Sequence, residues 1–406
     1  MKYFTQAYFI LLASCSTLYA PSLDTTSGTN MNKSLIITTS WNLDPTFTQT
    51  AMGSIAFTEG LSVTGTGQVW LGLNFPIRKQ LNLRNQYATG RIILKKDLHL
   101  AEGTIIYGPN DGGVAFESPE GERRTVHLDG DVTISGQAIA DSASIIGLFN
   151  ADLDGHGHTL TLGANASAGA FYLSARAGLH NVTIKNCWNR YNDGYGTLVY
   201  SGASEPYDQN GLTFENVNFI ARRGMPMSFF MLGFYAPFNF IIRGNTTFGN
   251  FGDYAFFNIG PGGTSYLVIE ENSSLIIKDS TLTSGLWWDL GGTPRSIRFW
   301  FKSDTSKLIL DNATFANNNN ILDTGLFFAQ GLRDQTVTLT NGTLVVRGRS
   351  TLQATTDLLS ADRTSTFSIG DGMNPNNDFH IVVEPGATLD LIAANTNSRI
   401  VINNVH

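Results

Sequence analysis

The sequence has two cysteines among 406 residues, Cys15 and Cys187. No intrachain disulfide remains once Cys15 is removed or modified, so the fold must hold by packing and hydrogen bonds. Charge is scarce too. Asp, Glu, Lys and Arg make up 15% of the chain, against roughly a quarter in an ordinary soluble domain. The net charge is −7 and no Lys/Arg-rich run occurs, which argues against a nucleic-acid partner. No block of like charge marks a solvated tail. No segment beyond the N-terminal stretch carries the 18 or so consecutive apolar residues of a membrane-spanning helix. Nothing shows the apolar period of a long amphipathic helix.

What is present is glycine, 42 residues of it, with abundant Asn, Thr and Ser. Apolar residues alternate or come in runs of four to six, which is the strand period. Short strands joined by tight turns suit that mixture. The first twenty residues read as an export signal, with Lys2 as the positive start and Tyr8–Ala13 as the apolar centre. Two processing routes stay open. Leu12-Ala13-Ser14-Cys15 resembles a bacterial lipobox, which would make Cys15 a lipidated N-terminus. Ordinary cleavage after Ser16 or Ala20 is the other route. Either implies an exported bacterial protein, at the outer membrane or cell surface or released. A membrane contact would then come only through the N-terminal lipid.

A degenerate repeat follows. Short apolar strands give way to Asn, Asp or Gly, then to a small polar residue and another apolar one. Asn181-Val182-Thr183-Ile184, Asn216-Val217-Asn218-Phe219, Asn245-Thr246-Thr247-Phe248, Asn312-Ala313-Thr314-Phe315 and Asn341-Gly342-Thr343-Leu344 are examples. With Asp129, Gly157 and Asp279 the spacings run from 24 to 35 residues and average about 30. Such a period signals stacked coils rather than propeller blades of roughly 40–45 residues. One coil cannot bury its own apolar positions. Parallel stacking at ~4.8 Å pairs the backbones and lays like side chains over one another. Asn suits the stacked turns because it tolerates left-handed backbone. Leu153, Leu160, Ile184, Phe219, Phe248, Leu282, Phe315 and Leu344 are expected to point inward and stack in register.

These residues, with Leu153-Asp154-Gly155-His156-Gly157-His158-Thr159-Leu160, resemble the right-handed parallel β-helix (pectin lyase-like) superfamily of secreted and surface proteins. The likeness covers residues 90–400 or so and concerns architecture more than activity. It implies an all-β, single-stranded right-handed solenoid of roughly ten rungs. The expected organisation is residues 1–20 as signal, 21–45 as linker, 46–90 as N-terminal cap or first rungs, and 91–406 as the β-helix.

Chemistry is harder to find. Gly155-His156-Gly157 resembles a piece of the polygalacturonase-type signature. No Asp-Asp pair, Asn-Thr-Asp or Arg-Ile-Lys accompanies it, and that chemistry needs two carboxyls. The bland reading is a turn with a half-exposed histidine. A lyase reading would gather Asp253, Glu270, Glu271, Asp279 and Asp289 around Ca²⁺, with Arg243 or Arg295 as base. Scattered surface acids more often serve solvation. Aromatic groups stand out. Trp188, Tyr191, Tyr195 and Tyr207 lie in a Gly/Asn/Asp-rich stretch. Exposed aromatic faces stack on sugar rings, so these four are the candidate ligand-binding residues. Phe229–Phe240 reads as core, and Trp287, Trp288, Phe299, Trp300 and Phe301 as core or rim. Cys187 reads as a small buried residue and not a nucleophile.

Two functions follow as expectations. The first is a non-enzymatic surface or secreted scaffold for adhesion, glycan or host-surface contact, with no cofactor. The second is a polysaccharide lyase or glycoside hydrolase of the pectin lyase-like group, with Ca²⁺ in the lyase case.

Overall fold

The computed structural model describes strand backbone between Asn30 and Ile402. Side chains are described chiefly within 94–134, 147–187, 212–221, 240–250, 267–281, 299–317, 336–356, 364–370 and 379–405. The described chain is all strand and turn, with no helix among the described residues. Residues 1–20, Cys15 included, lie outside the described residues. Among the described residues no helix is long and apolar enough to cross a membrane. The chain divides into two compact units, Met1–Ala166 and Ser167–His406.

In the first unit, from Leu98 onward, successive strands visit three parallel sheets in turn, and each pairs with the one three places on. Leu98–Leu100, Arg124–Leu128 and Ala151–Asp154 form one such series. Ile105–Tyr107, Val132–Ser135 and Thr159–Leu162 form the next. Gly113–Glu117 and Ala143–Phe149 belong to the third. The alternation read from the sequence becomes two faces. Leu98, Val126 and Leu153 lie in register and are buried, while His99 and His127 of the same strands face outward beside each other. Parallel strands also occur at Leu35–Ile37 and Ser54–Phe57, so backbone pairing begins inside the segment read as a linker.

The second unit repeats the scheme. Gly178–His180, Leu212–Glu215, Asn239–Arg243 and Thr264–Ile269 pair in parallel. Thr183–Asn189, Asn218–Ala221, Asn245–Gly249 and Ser274–Lys278 do likewise. Thr281–Gly285, Thr314–Asn319 and Arg349–Thr356 belong to the third series. Like side chains lie over one another. The Phe219 and Phe248 rings stack at 5.1 Å, and Phe214 stacks on Phe240 at 5.6 Å. Phe299, Phe301, Phe315 and Phe367 continue the buried aromatic lining.

The expected single column of inward residues is corrected here. Every described member is buried: Leu153, Leu160, Ile184, Phe219, Phe248, Phe315 and Leu344. The Leu282 side chain lies outside the described residues. The members do not form one column. Ile184, Phe219 and Phe248 share a register, which continues to Ile277. Leu282 and Phe315 pair on another sheet and continue to Leu352. Leu344 pairs with Leu308.

The cause lies in the turns. Asn181 and Asn216 are left-handed (φ 48° and 54°), and the position stacked next is Gly244 (φ 56°). Asn216 donates to Asn181 Oδ1 at 3.1 Å and accepts from the Asn245 amide at 3.0 Å. A second corner repeats the device with Asn250, Asp279, Asn312 and Gly348, all at positive φ. Both corners read as Asn or Asp before a strand, so one pattern in the sequence served two places in the strand order.

In the aromatic groups, Phe240 is buried as expected. In the segment Phe299-Trp300-Phe301 the phenylalanines point inward. Trp300 does not: it is 49% exposed, with Lys302 Nζ 3.6 Å over its ring. The strand period decides this, since neighbours must face opposite ways.

Cys187 is fully buried, and burial pushes its thiol far above the ordinary value of 9.0. With Cys15→Ser removing the other thiol, a disulfide reagent at pH 8 should leave the native chain unlabelled and label the denatured chain once per molecule. Native labelling would contradict the burial. The sign for stability follows. The folded thiol keeps its proton where the unfolded one loses it, so this group's contribution falls as pH rises above 9.0.

Candidate functional site

The first unit carries an outward row of chemistry-bearing side chains. His99 pairs with His127, and His127 with Asp154. The chain then turns through Gly155 into His156, a left-handed residue (φ 49°), and Gly157 (φ 91°). Asp154 Oδ1 accepts the His156 amide at 3.0 Å and so fixes that turn. The turn brings the His156 ring end to end with His127, centroids 5.1 Å apart and planes within 18°, while His99 and His127 stack with centroids 4.6 Å apart. His127 Nδ1 lies 2.9 Å from His156 Nε2. At the start of the row His99 Nδ1 meets the Asp129 carboxylate at 3.1 Å. Asp97 Oδ1 holds the Thr125 amide at 2.9 Å.

Burial pushes the His127 imidazole below its ordinary value, and the His99 and His156 rings push it the same way, against Asp97 and Asp154. That shift favours the neutral ring, which keeps a lone pair. His127, Asp154 and His156 offer ligand atoms that all lie within 4.8 Å of one another. Glu102, Asp131 and His158 meet the same distance limit one turn further along the chain. Gly130 makes that second group possible. A Cβ at 130 would stand 2.4 Å from the Glu102 backbone. Without it, the Glu102 carboxylate reaches across to the Asp131 amide.

In the second unit the outward row opens with His180 Nδ1 at 3.1 Å from Glu215 Oε2, and Glu215 lies in register with Arg243. These are polar side chains of alternating type on an outward face, worth little to stability individually.

The residues chosen from the sequence fare unevenly. Trp188 sits in the strand Thr183–Asn189, opposite Gly169 in a short antiparallel pair, and its side chain lies outside the described residues. Tyr191, Tyr195 and Tyr207 lie outside them altogether, as do Asp253 and Asp289. The described acids among those named for Ca²⁺, Glu270, Glu271 and Asp279, are not gathered. Glu270 and Glu271 follow the strand Thr264–Ile269, whereas Asp279 stands at the other corner, hydrogen-bonded to Asn312. Neither ligand group found among the described residues includes them.

His127 and His156 were missed as a pair. The signal was available, because His99, His127 and His156 stand 28 and 29 residues apart in a chain with seven histidines. The first spacing equals the strand offset of 28 residues, and the second exceeds the next offset of 27 by the two residues of the turn that carries His156.

A scan against protein-family models, a search of curated proteins and a search of solved structures each found no match.

Proposed function

We propose that the strands wind as a right-handed parallel β-helix of the pectin lyase-like kind, and that the protein is an exported, non-enzymatic scaffold. In this reading its outward rows and loops meet a glycan or host surface. The observation that carries it is that the strands Leu98–Leu100, Arg124–Leu128 and Ala151–Asp154 turn a buried apolar row inward and a polar row outward, both kept in register from strand to strand. Such a surface repeats hydrogen-bonding groups at the strand spacing of ~4.8 Å, which suits an extended polar ligand. The right hand follows from the preference of parallel crossovers.

The aromatic stretch containing Trp188, Tyr191, Tyr195 and Tyr207 would supply the stacking contacts. The full chain on a glycan array should give defined binders. Trp188→Ala with Tyr191→Ala should weaken them about tenfold or more, the scale of losing aromatic anchors, with unchanged circular dichroism. Undiminished binding by that variant would end the role of these aromatics. Release of oligosaccharide from uronic-acid polymers would end the non-enzymatic reading.

A further inference from the structure

We propose that His127, Asp154 and His156 form a binding site for a divalent transition metal ion of the zinc, nickel or copper type. The inference does not rest on the glycan reading and survives its failure.

Three observations converge. The first is the donor set, two imidazoles and one carboxylate with all ligand atoms within 4.8 Å. Imidazole nitrogen selects zinc, copper or nickel over calcium and magnesium, which want oxygen alone. The second is the spacing of the two nitrogens. His127 Nδ1 and His156 Nε2 are 2.9 Å apart. Two nitrogens each ~2.0–2.1 Å from one metal, at an angle of about 90–110°, stand roughly 2.8–3.4 Å apart, so this pair already has the right separation, and ligation needs each ring to turn so that its lone pair aims at the ion instead of at the other nitrogen. The third is the way the site is held. His127 is fixed by the strand Arg124–Leu128, and Asp154 ends the strand paired with it. Asp154 in turn sets the left-handed His156 through its amide. A carboxylate has about four lone-pair positions, so it can hold that turn and still ligate.

The charge balance agrees. A neutral imidazole carries one N–H and one lone pair, so the facing nitrogens share a proton when no metal is present. An ion would take that proton's place, with each ring's other nitrogen protonated. Three protein ligands leave the remaining coordination positions to water, which is an open site. The His99–Asp129 contact, stacked beneath His127, is an outer support for that ring.

The test uses the full chain with an affinity tag that contains no histidine. After equilibration with micromolar Zn²⁺ at pH 7.5 and gel filtration, metal content is measured for the wild type and for His127→Gln with His156→Asn. Asn is chosen at 156 because it tolerates left-handed backbone. Both positions are outward-facing, and circular dichroism checks that the variant is folded. The variant should carry one fewer Zn²⁺ per chain. In a titration, Asp154→Asn alone should weaken binding about tenfold or more, the scale of losing a metal-site partner. Co²⁺ should give visible absorption with the wild type and lose it with the double variant. Asp131→Asn with His158→Gln should leave this absorption in place. Three results would overturn the proposal: no metal retained by the wild type, equal content in the His127/His156 variant, or loss only in the Asp131/His158 variant.

Discussion

Phe219→Ala should lower the stability of the second unit by about 3–5 kcal/mol, the usual cost of deleting a fully buried aromatic side chain. The ring is 0% exposed. It stacks on Phe248 at 5.1 Å and meets the edge of Phe214 at 5.5 Å. Its backbone partners on either side are Ile184 and Phe248. Strands held by two neighbours cannot close on the hole without breaking their own pairing, so the cavity should stay largely open. For a unit of this size each kcal/mol shifts Tm by roughly 2–4 °C, giving a fall of about 6–20 °C by calorimetry. Phe219→Leu should cost less, because it keeps most of the volume. Thr247→Ala, on the outward face of the neighbouring strand, should stay within about 0.5 kcal/mol. Equal Tm values for Phe219→Ala and Thr247→Ala would mean that the inward row is not the core.

Much of this architecture was legible before any coordinates. The inward positions are apolar and β-forming, and every described one expected to be buried is buried. What could not be read was how they connect. Ile184, Phe219 and Phe248 belong to one register, and Phe315 to another. In the sequence all four follow an Asn by three residues. Local chemistry specifies a left-handed turn without saying which corner of the coil it makes. The distinction lies in the pairing of backbones tens of residues apart, which no local pattern encodes.

The candidate site was hidden for a different reason. Gly155-His156-Gly157 was read against a catalytic signature, and the partners of that signature are missing. Its own partner, His127, is 29 residues earlier in the chain. Once strands pair at an offset near 28 residues, similar spacing becomes contact, directly for His99 and His127 and through the turn after Asp154 for His156. The same rule runs through the backbone contacts of this unit. Asp97 holds the Thr125 amide and Asp131 holds the Thr159 amide, each across 28 residues. A search for polar residues recurring at the coil length would have found the histidines. A search for contiguous motifs could not.

Gly348→Ala should cost about 2–4 kcal/mol, and the reason lies in the neighbouring corner more than in glycine itself. Gly348 is left-handed (φ 56°), which charges any residue with a Cβ about 1–2 kcal/mol. A Cβ there would also stand 1.9 Å from Asn312 Oδ1. That oxygen accepts the Arg349 amide at 3.1 Å, so moving it breaks the hydrogen bond that ties one corner to the next. Gly386 supplies the comparison. It is also left-handed (φ 81°), but a Cβ there meets nothing within 4 Å. Gly386→Ala should therefore cost only the backbone share, about 1–2 kcal/mol.

The two contributions separate in a double-mutant cycle. Asn312→Gly keeps the left-handed corner and removes the obstructing amide, so Gly348→Ala made on that background should cost no more than Gly386→Ala. Urea unfolding of the four chains measures the coupling. A coupling of zero would mean that the side chain of Asn312 does not lie over Gly348. The stacked asparagines would then be independent turns, each stabilising only its own corner.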